Sequence, residues 1–181
     1  MTEWTTSSVP YLTPREPGAG DAWKDEAARA GHTGKHRLVL VETRVPEPRV
    51  SGLLGDAVGT EAVLRRRLVT LDDVPVEVSD SWYPASIAAG TALAEQKPIR
   101  GGALRLLAEL GYVGARHVEE VAVIDTPAAL LEVLRDTPAI ELTRVSYTGS
   151  DVPFEVAVMV MAREMAPGVP RRLRYELRLA D

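Results

Sequence analysis

Asp73-Val74-Pro75-Val76-Glu77-Val78 and Asp151-Val152-Pro153-Phe154-Glu155-Val156 differ at one position in six and stand 78 residues apart. Moving from them toward the N-terminus, Arg67 meets Arg144, Ala62 meets Ala139, Thr60 meets Thr137, Leu53-Leu54 meets Leu130-Leu131 and Val41-Glu42 meets Val118-Glu119, each pair 77 apart. One residue is added in the turn between. A fixed offset that ends in two near-identical hexapeptides marks one unit present twice, with halves at about 41–78 and 118–156.

Each unit opens on a strand and continues into a short helix, Val50 to Asp56 or Pro127 to Arg135, Pro127 suiting a helix's first turn. A strand rich in β-branched and apolar residues follows, Ala62 to Leu71 or Ala139 to Thr148. Asp72-Asp73 and Gly149-Ser150-Asp151 are polar turns. The last strand begins at Pro75 or Pro153, where proline's missing N–H costs no ladder bond. Two such units give about six strands joined mostly as antiparallel hairpins, an α+β fold with helices flanking the sheet. Related halves pack about a pseudo-two-fold axis and leave clefts where they meet.

The composition sets bounds. The 181 residues suffice for one full-sized domain, and 45% hydrophobic with 26% charged residues is ordinary for a globular chain. Aromatics are scarce at 5%, so Leu, Val, Ala and Ile must build the core. A net charge of −5 speaks against autonomous binding to nucleic acid. Arg171, Arg172 and Arg174 alternate with Leu173 and Tyr175 and read as the exposed face of a strand. Without cysteine there is no disulfide, thiolate zinc site or thiol nucleophile. No apolar run is long enough to span a bilayer and no secretory signal pattern opens the chain, so no membrane partner and a cytoplasmic location are expected.

Outside the repeat, residues 1–20 read as an irregular arm carrying Pro10, Pro14, Pro17, Gly18 and Gly20, with Trp4, Tyr11 and Leu12 as anchors for docking. Asp21 is a helix N-cap for Ala22 to Ala30, ended by Gly31. His36 to Val45 alternates as a strand. Between the halves, Gly102 to Leu110 is a helix whose Leu104, Leu106, Leu107 and Leu110 share one face. The preceding Ile99-Arg100-Gly101-Gly102 offers a cation and bare amides to an anionic group.

Taken together, these segments resemble the UTRA (UbiC transcription regulator-associated) domain, the effector-binding domain of GntR-type regulators of the HutC subfamily. The resemblance covers roughly residues 36–180. It is carried by Arg65-Arg66-Arg67 through Asp72-Asp73-Val74-Pro75-Val76-Glu77 to Ser81-Trp82-Tyr83-Pro84, and by Gly102-Ala103-Leu104-Arg105-Leu106-Leu107 through Leu110-Gly111-Tyr112. Leu142-Thr143-Arg144 through Pro153-Phe154-Glu155 looks like the second arginine strand and its "Pro-x-Glu" strand. The arm, with Pro10-Tyr11-Leu12-Thr13-Pro14 and Asp21-Ala22-Trp23, resembles the segment that joins domains in actinobacterial members. The resemblance implies the chorismate-lyase-like fold and recognition of a small metabolite: a sugar, amino acid or other carboxylate or phosphate compound. It also implies a homodimer. Family regulators carry a winged helix-turn-helix ahead of this domain, whereas residues 1–35 are too few and too rich in Pro and Gly for one. No direct contact with nucleic acid is therefore expected of this chain alone, read either as an excised sensor or as a stand-alone protein of the same fold.

Carried onto this sequence, the resemblance makes Arg67 the arginine that grips an anionic effector; the alternative is a solvated strand-edge charge. Members often carry a second arginine two residues on, where Val69 stands here, which favours a more apolar, singly charged effector. Glu155 matches an acidic residue that can face the ligand, its repeat partner being Glu77, and either could instead face solvent. Met161 replaces a tyrosine of many members and is either an adaptable pocket wall or ordinary core. Gly101, Gly102 and Ala103 stand where members offer helix-start amides, Arg100 beside them. Arg144, Glu120, Trp82 and Tyr83 complete the candidates, Trp82 being equally a core residue.

His32, His36 and His117 lack metal spacing; His117 beside Glu119 and Glu120 invites a proton-transfer role, against which it reads as solvated loop. No metal, cofactor, phosphate loop or nucleophile elbow is indicated. Three functions remain in view: an effector-sensing domain; an enzyme of the chorismate-lyase-like fold acting as lyase, isomerase or cyclase; and a partner that forms mixed dimers with full-length regulators.

Overall fold

The computed structural model describes residues 4–14, 21–55, 59–134 and 138–176. Asp72 and Asp73 both take positive φ, 48° and 65°, as a two-residue hairpin turn requires, and join β3 (Ala62–Leu71) to β4 (Val74–Pro84). Asp151, at φ 58°, turns β6 (Ala139–Tyr147) into β7 (Pro153–Met161). With β2 (Gly34–Arg44) and β5 (Arg116–Ile124) these strands make one six-stranded sheet of order β2-β3-β4-β7-β6-β5, every neighbour antiparallel. The two three-stranded halves meet at β4 and β7, which gives the sheet a pseudo-two-fold centre.

Both halves break register at one corresponding place. Between β3 and β4 the pairing runs Val69↔Glu77 and then Thr70↔Pro75, leaving Val76 as a bulge. Between β6 and β7 it runs Ser146↔Glu155 and then Tyr147↔Pro153, leaving Phe154 as the equivalent bulge. Proline beside a bulge needs no ladder partner.

The offset ahead of these hairpins differs from the sequence reading. Arg44 pairs with Ala62 and Ile124 with Ala139, so the ends of the first strands correspond at 80 positions, not 77, and their starts, ahead of the extra residue Val39 in β2, at 81. Helix α2 (Pro48–Leu53) and helix α5 (Ala128–Leu134) follow suit, with buried Leu54 answering buried Leu134. The pairs Val41-Glu42/Val118-Glu119 and Leu53-Leu54/Leu130-Leu131 are coincidences of common residues. The second copy has a connection three residues shorter between helix and strand, which restores the offset of 77 at Ala62 and Ala139. Thr137, Asp56, Arg135 and the arm residues Pro17, Gly18 and Gly20, on which other parts of that reading rest, lie outside the described residues.

One sheet face carries α2 and α5, crossed so that α2 lies against β7 and α5 against β4. Val50, Leu54, Leu64, Trp82, Val145 and Val156 pack there at one end, and Leu134, Val78, Ala139 and Val160 at the other. The opposite face of the first half is covered by α3 (Ala85–Ala88), a 3-10 turn at Ala92–Ala94 and α4 (Ala103–Glu109). Val63, Tyr83, Ile87, Leu93, Leu107 and Phe154 fill the space between. In α4 only Leu107 is fully buried, and Leu110 is 42% exposed, so the face is narrower than its leucine spacing suggests.

The segment before the sheet docks as its apolar anchors require. Asp21 caps α1 (Ala22–Arg29) by accepting from Trp23 N and Lys24 N. Strand β1 (Trp4–Thr6) runs parallel to β9 (Val169–Leu173), which pairs with β8 (Glu164–Ala166) in a second, three-stranded sheet. Trp4 packs on Trp23 at 5.7 Å between ring centroids. Glu26 gathers Trp4 Nε1, Thr6 Oγ1 and the Tyr11 hydroxyl at 2.6–2.8 Å. Gly34 is required at this junction, since a Cβ there would lie 2.7 Å from Trp23 Nε1 and 2.8 Å from Ala27 Cβ.

Arg171 does not lie on an exposed strand face. It is 7% exposed, ion-paired to Glu77 at 3.1 Å and bonded to the carbonyl oxygen of bulge residue Val76 at 3.0 Å. No helix among the described residues is long and apolar enough to cross a membrane.

Candidate functional site

Alternation along β3 puts Arg65 and Arg67 on the face that α4 covers, and Arg66 on the other, where it forms a bidentate pair with Asp80 at 2.7 Å. Directly across from Arg65 stands Ser81, and across from Arg67, on the edge strand β2, stands Leu38. These side chains, with Tyr83 from β4, floor a cavity of about 370 Å³. Its far wall is Gln96, Pro98 and Ile99 with Gly102 and Ala103 at the start of α4, and His36 and Arg37 lie at its exposed side.

The two arginines differ in what holds them. Arg65 is buried and donates to four carbonyl oxygens, those of Ala92, Leu93, Glu95 and Lys97, at 2.7–3.2 Å. It thereby pins the loop that roofs the cavity, and burial holds its pKa below the usual arginine range. Gln96 pins the same loop to β2, accepting from Val41 N and donating to the carbonyl oxygen of Val39, the residue at the register shift in that strand. Arg67 is half-buried and donates only to Ser81 Oγ, at 3.3 Å; among the described residues it has no carboxylate partner.

Tyr83 is fully buried, and its hydroxyl donates to Glu155 Oε1 at 2.8 Å. Burial first, and then the charge of Glu155, push the phenol well above its ordinary range, so it stays protonated. Glu155 therefore stands behind Tyr83 rather than on the cavity wall. Gly101 and Gly102 both take positive φ, 82° and 84°, which only glycine adopts without strain, and bring the chain into α4 beside the cavity. Arg100 and Gly101 lie exposed on that loop, next to the lining residues.

Of the residues singled out by sequence, the structure brings Arg67, Tyr83, Gly102 and Ala103 to one cavity and sets Arg100, Gly101 and Glu155 around it. Four others lie elsewhere. Trp82 neighbours Tyr83 in β4, so it points through the opposite face, where it packs in the core under Arg44, 5.2 Å from the ring centroid. Glu120 lies on that face too, paired with Arg49 at 3.1 Å. Met161 is core, packed with Leu142, Ala157 and Met159. Arg144 shares the cavity's face but belongs to the second half, ion-paired with Glu119 at 2.6 Å.

His117 is not in a loop: it stands on β5, partly buried, with Nδ1 3.0 Å from Ser146 Oγ. Burial and the nearby Arg144 hold it below the ordinary histidine pKa, hence neutral at pH 7. Val69, the site of a second arginine in many family members, is buried against Trp4 and Trp23 here.

Sequence reasoning missed Arg65 and Ser81 on the floor, Leu38 with His36 and Arg37 on the edge strand, and Gln96, Pro98 and Ile99 in the far wall. Ser81 and Leu38 were reachable in principle as cross-strand neighbours of Arg65 and Arg67. For Ser81, however, the bulge at Val76 shifts the pairing of β4 with β3 by one, and one residue decides which face a side chain takes. No group of three or more His, Asp or Glu side chains that could hold a metal occurs among the described residues.

The sequence profile described as the UTRA domain matches residues 29–165. Among solved structures, PhnF from Mycobacterium smegmatis superposes with a TM-score of 0.71 at 18% identity, covering 98% of this chain and 74% of that one. The effector domain of the same protein gives 0.68 at 20% identity, covering 91% and 98%. A GntR-family transcriptional regulator from Bacillus cereus gives 0.64 at 16% identity, covering 81% and 99%. At these identities the likeness concerns the fold. No curated protein matches the chain.

Proposed function

The chain belongs to the UTRA domain family, and on that premise we propose that it is an effector-binding domain of a GntR/HutC-like regulator, taking an anionic, partly apolar small metabolite into the cavity above β2, β3 and β4. The observation that carries this is Arg67: a half-buried guanidinium that faces a cavity of about 370 Å³ and finds no carboxylate among the described residues. A cation so placed is costly to bury without a counter-charge, and a ligand that brings one is bound where pocket walls and polar groups converge. Leu38, Pro98, Ile99, Ala103 and the ring of Tyr83 supply the apolar part of the wall.

Within this reading residues 36–181 form the ligand-binding unit and residues 1–35 an N-terminal arm and short helix ahead of it. The domain works as a homodimer in the cytoplasm and makes no contact with nucleic acid by itself; sedimentation and a mobility-shift assay test the first and the last of these. The central experiment is mass spectrometry of the small molecule that co-purifies, followed by thermal-shift titration with it. At 100 times its Kd a ligand adds about 2.7 kcal/mol of stability, and Arg67→Ala is expected to abolish the shift. A shift of equal size in Arg67→Ala would remove the cavity from consideration.

A further inference from the structure

The two halves of the sheet repeat a histidine and an arginine in matching places and differ at the position between them. His36 pairs with Val69 and Leu38 with Arg67 across β2 and β3; His117 pairs with Ser146 and Glu119 with Arg144 across β5 and β6. The triplets His36, Leu38, Arg67 and His117, Glu119, Arg144 therefore hold matching places on the same sheet face. In the second half the arginine is answered from within the chain. Glu119 Oε1 lies 2.6 Å from Arg144 Nε, with only 11% and 10% of those side chains exposed, and the second oxygen of Glu119 accepts from Ser8 Oγ at 2.9 Å. In the first half a leucine stands where that carboxylate would be, and the space over it is the cavity.

Resting on the reading of this cavity as an effector site, we infer that the effector is a monocarboxylate, and that its carboxylate lies over Leu38 against Arg67, in the place that the Glu119 side chain fills beside Arg144. The donors at hand suit one negative charge shared by two oxygens. The remaining N–H groups of Arg67 are available, whereas the Arg65 guanidinium is spent on four carbonyl oxygens, the Tyr83 hydroxyl on Glu155, and the Ser81 hydroxyl on Arg67 and Tyr83. His36 is paired with Asp21 at 3.2 Å, and Arg37 is exposed at the rim, where water screens it. A phosphate dianion, with three acceptor oxygens and a second charge, would be left short of partners and would face the carboxylate of Glu155 behind Tyr83. The leucine and its apolar neighbours fit the body that carries the carboxylate, which makes Leu38 a specificity-determining position.

The test uses the intact chain and three probes of one shape: benzoate, benzamide and phenyl phosphate. Benzoate is expected to bind at least about tenfold more tightly than either of the others, the discrimination one charge-assisted bidentate contact supplies. Leu38→Glu supplies the carboxylate from the chain itself and is expected to weaken benzoate at least about tenfold more than the neutral isostere Leu38→Gln, which gives up the apolar contact alone. A second readout needs no ligand: in Leu38→Glu the Arg67 Nε–Hε resonance is expected to become protected from exchange, as the ion pair with Glu119 is expected to protect that of Arg144 in the parent chain. Phenyl phosphate or benzamide matching benzoate, equal losses in the Glu and Gln variants, or an unprotected Arg67 in Leu38→Glu each overturn the inference and leave the effector site standing. Silence of all three probes on the parent chain overturns the effector site itself.

Discussion

Replacing Glu119 by Gln removes one negative charge and almost no volume, and it does so where the structure makes the charge matter. The Glu119 and Arg144 side chains are about nine-tenths buried and 2.6 Å apart. The variant leaves Arg144 as a buried cation without its counter-ion, which costs about 3–5 kcal/mol where both partners are out of water. For a chain of this length each kcal/mol is worth about 2–4 °C, so Tm is expected to fall by roughly 6–20 °C. The double variant Glu119→Gln/Arg144→Met removes both charges and is expected to lie above Glu119→Gln, closing a cycle with a favourable coupling. Urea denaturation of the four proteins measures it.

The same pair sets a pH dependence. Burial pushes Glu119 up, but the charge and hydrogen bond of Arg144, with help from Ser8 and Tyr175, more than reverse this and leave it below the usual glutamate range. A carboxylate depressed by folding contributes its full stability above the unfolded value of about 4.3 and loses it as pH falls through the lower, folded value. The gap between the parent chain and Glu119→Gln is therefore constant at neutral pH and closes on acidification below about pH 5. A cost under about 1 kcal/mol, the range of an exposed pair, or a gap that widens in acid, would refute the reasoning.

Two further outcomes concern the docked N-terminal segment. Gly34→Ala places a methyl 2.7 Å from Trp23 Nε1 and 2.8 Å from Ala27 Cβ; it is expected to cost about 1–3 kcal/mol and to red-shift tryptophan emission as α1 lifts off, and an unchanged spectrum and Tm would count against the packing described. Asp21→Ala loses the cap and is expected to cost about 0.5–2 kcal/mol, whereas Asp21→Asn keeps the cap, loses only the charge beside His36, and is expected to cost less. Burial raises Asp21, but the hydrogen bond and charge of His36 with the two amides of α1 outweigh it and lower it to about 2, so its share of stability is lost from near pH 4 downward; a loss confined to neutral pH would contradict that assignment.

What the sequence revealed of the fold follows from how strongly each feature is encoded. Ala62–Leu71 reads correctly to the residue because a polar turn and a period of two bound it, and Asp21 caps its helix because no other residue there can. The repeat was legible in its hairpins, where a proline, a glutamate and a turn recur together. It was misread in its first strands, because Val-Glu and Leu-Leu are frequent pairs and a loop shorter by three residues leaves no mark of its own. Arg67 and Tyr83 came from resemblance, and the bulge that seats Ser81 opposite Arg65 has no signature beyond a nearby proline. Naming Trp82 and Tyr83 together was a local inconsistency, since neighbours on a strand cannot face one cavity.

Strand β1 enters the second sheet alongside β9 and in the same direction, with Trp4 beside Arg171, Thr5 beside Arg172 and Thr6 beside Leu173. A tension that draws residue 4 backward and residue 173 forward acts along both strands at once. The three pairings then bear the load in shear, all together, instead of peeling open one after another. The domain is thus fastened mechanically at the point where its earliest and latest described strands lie side by side.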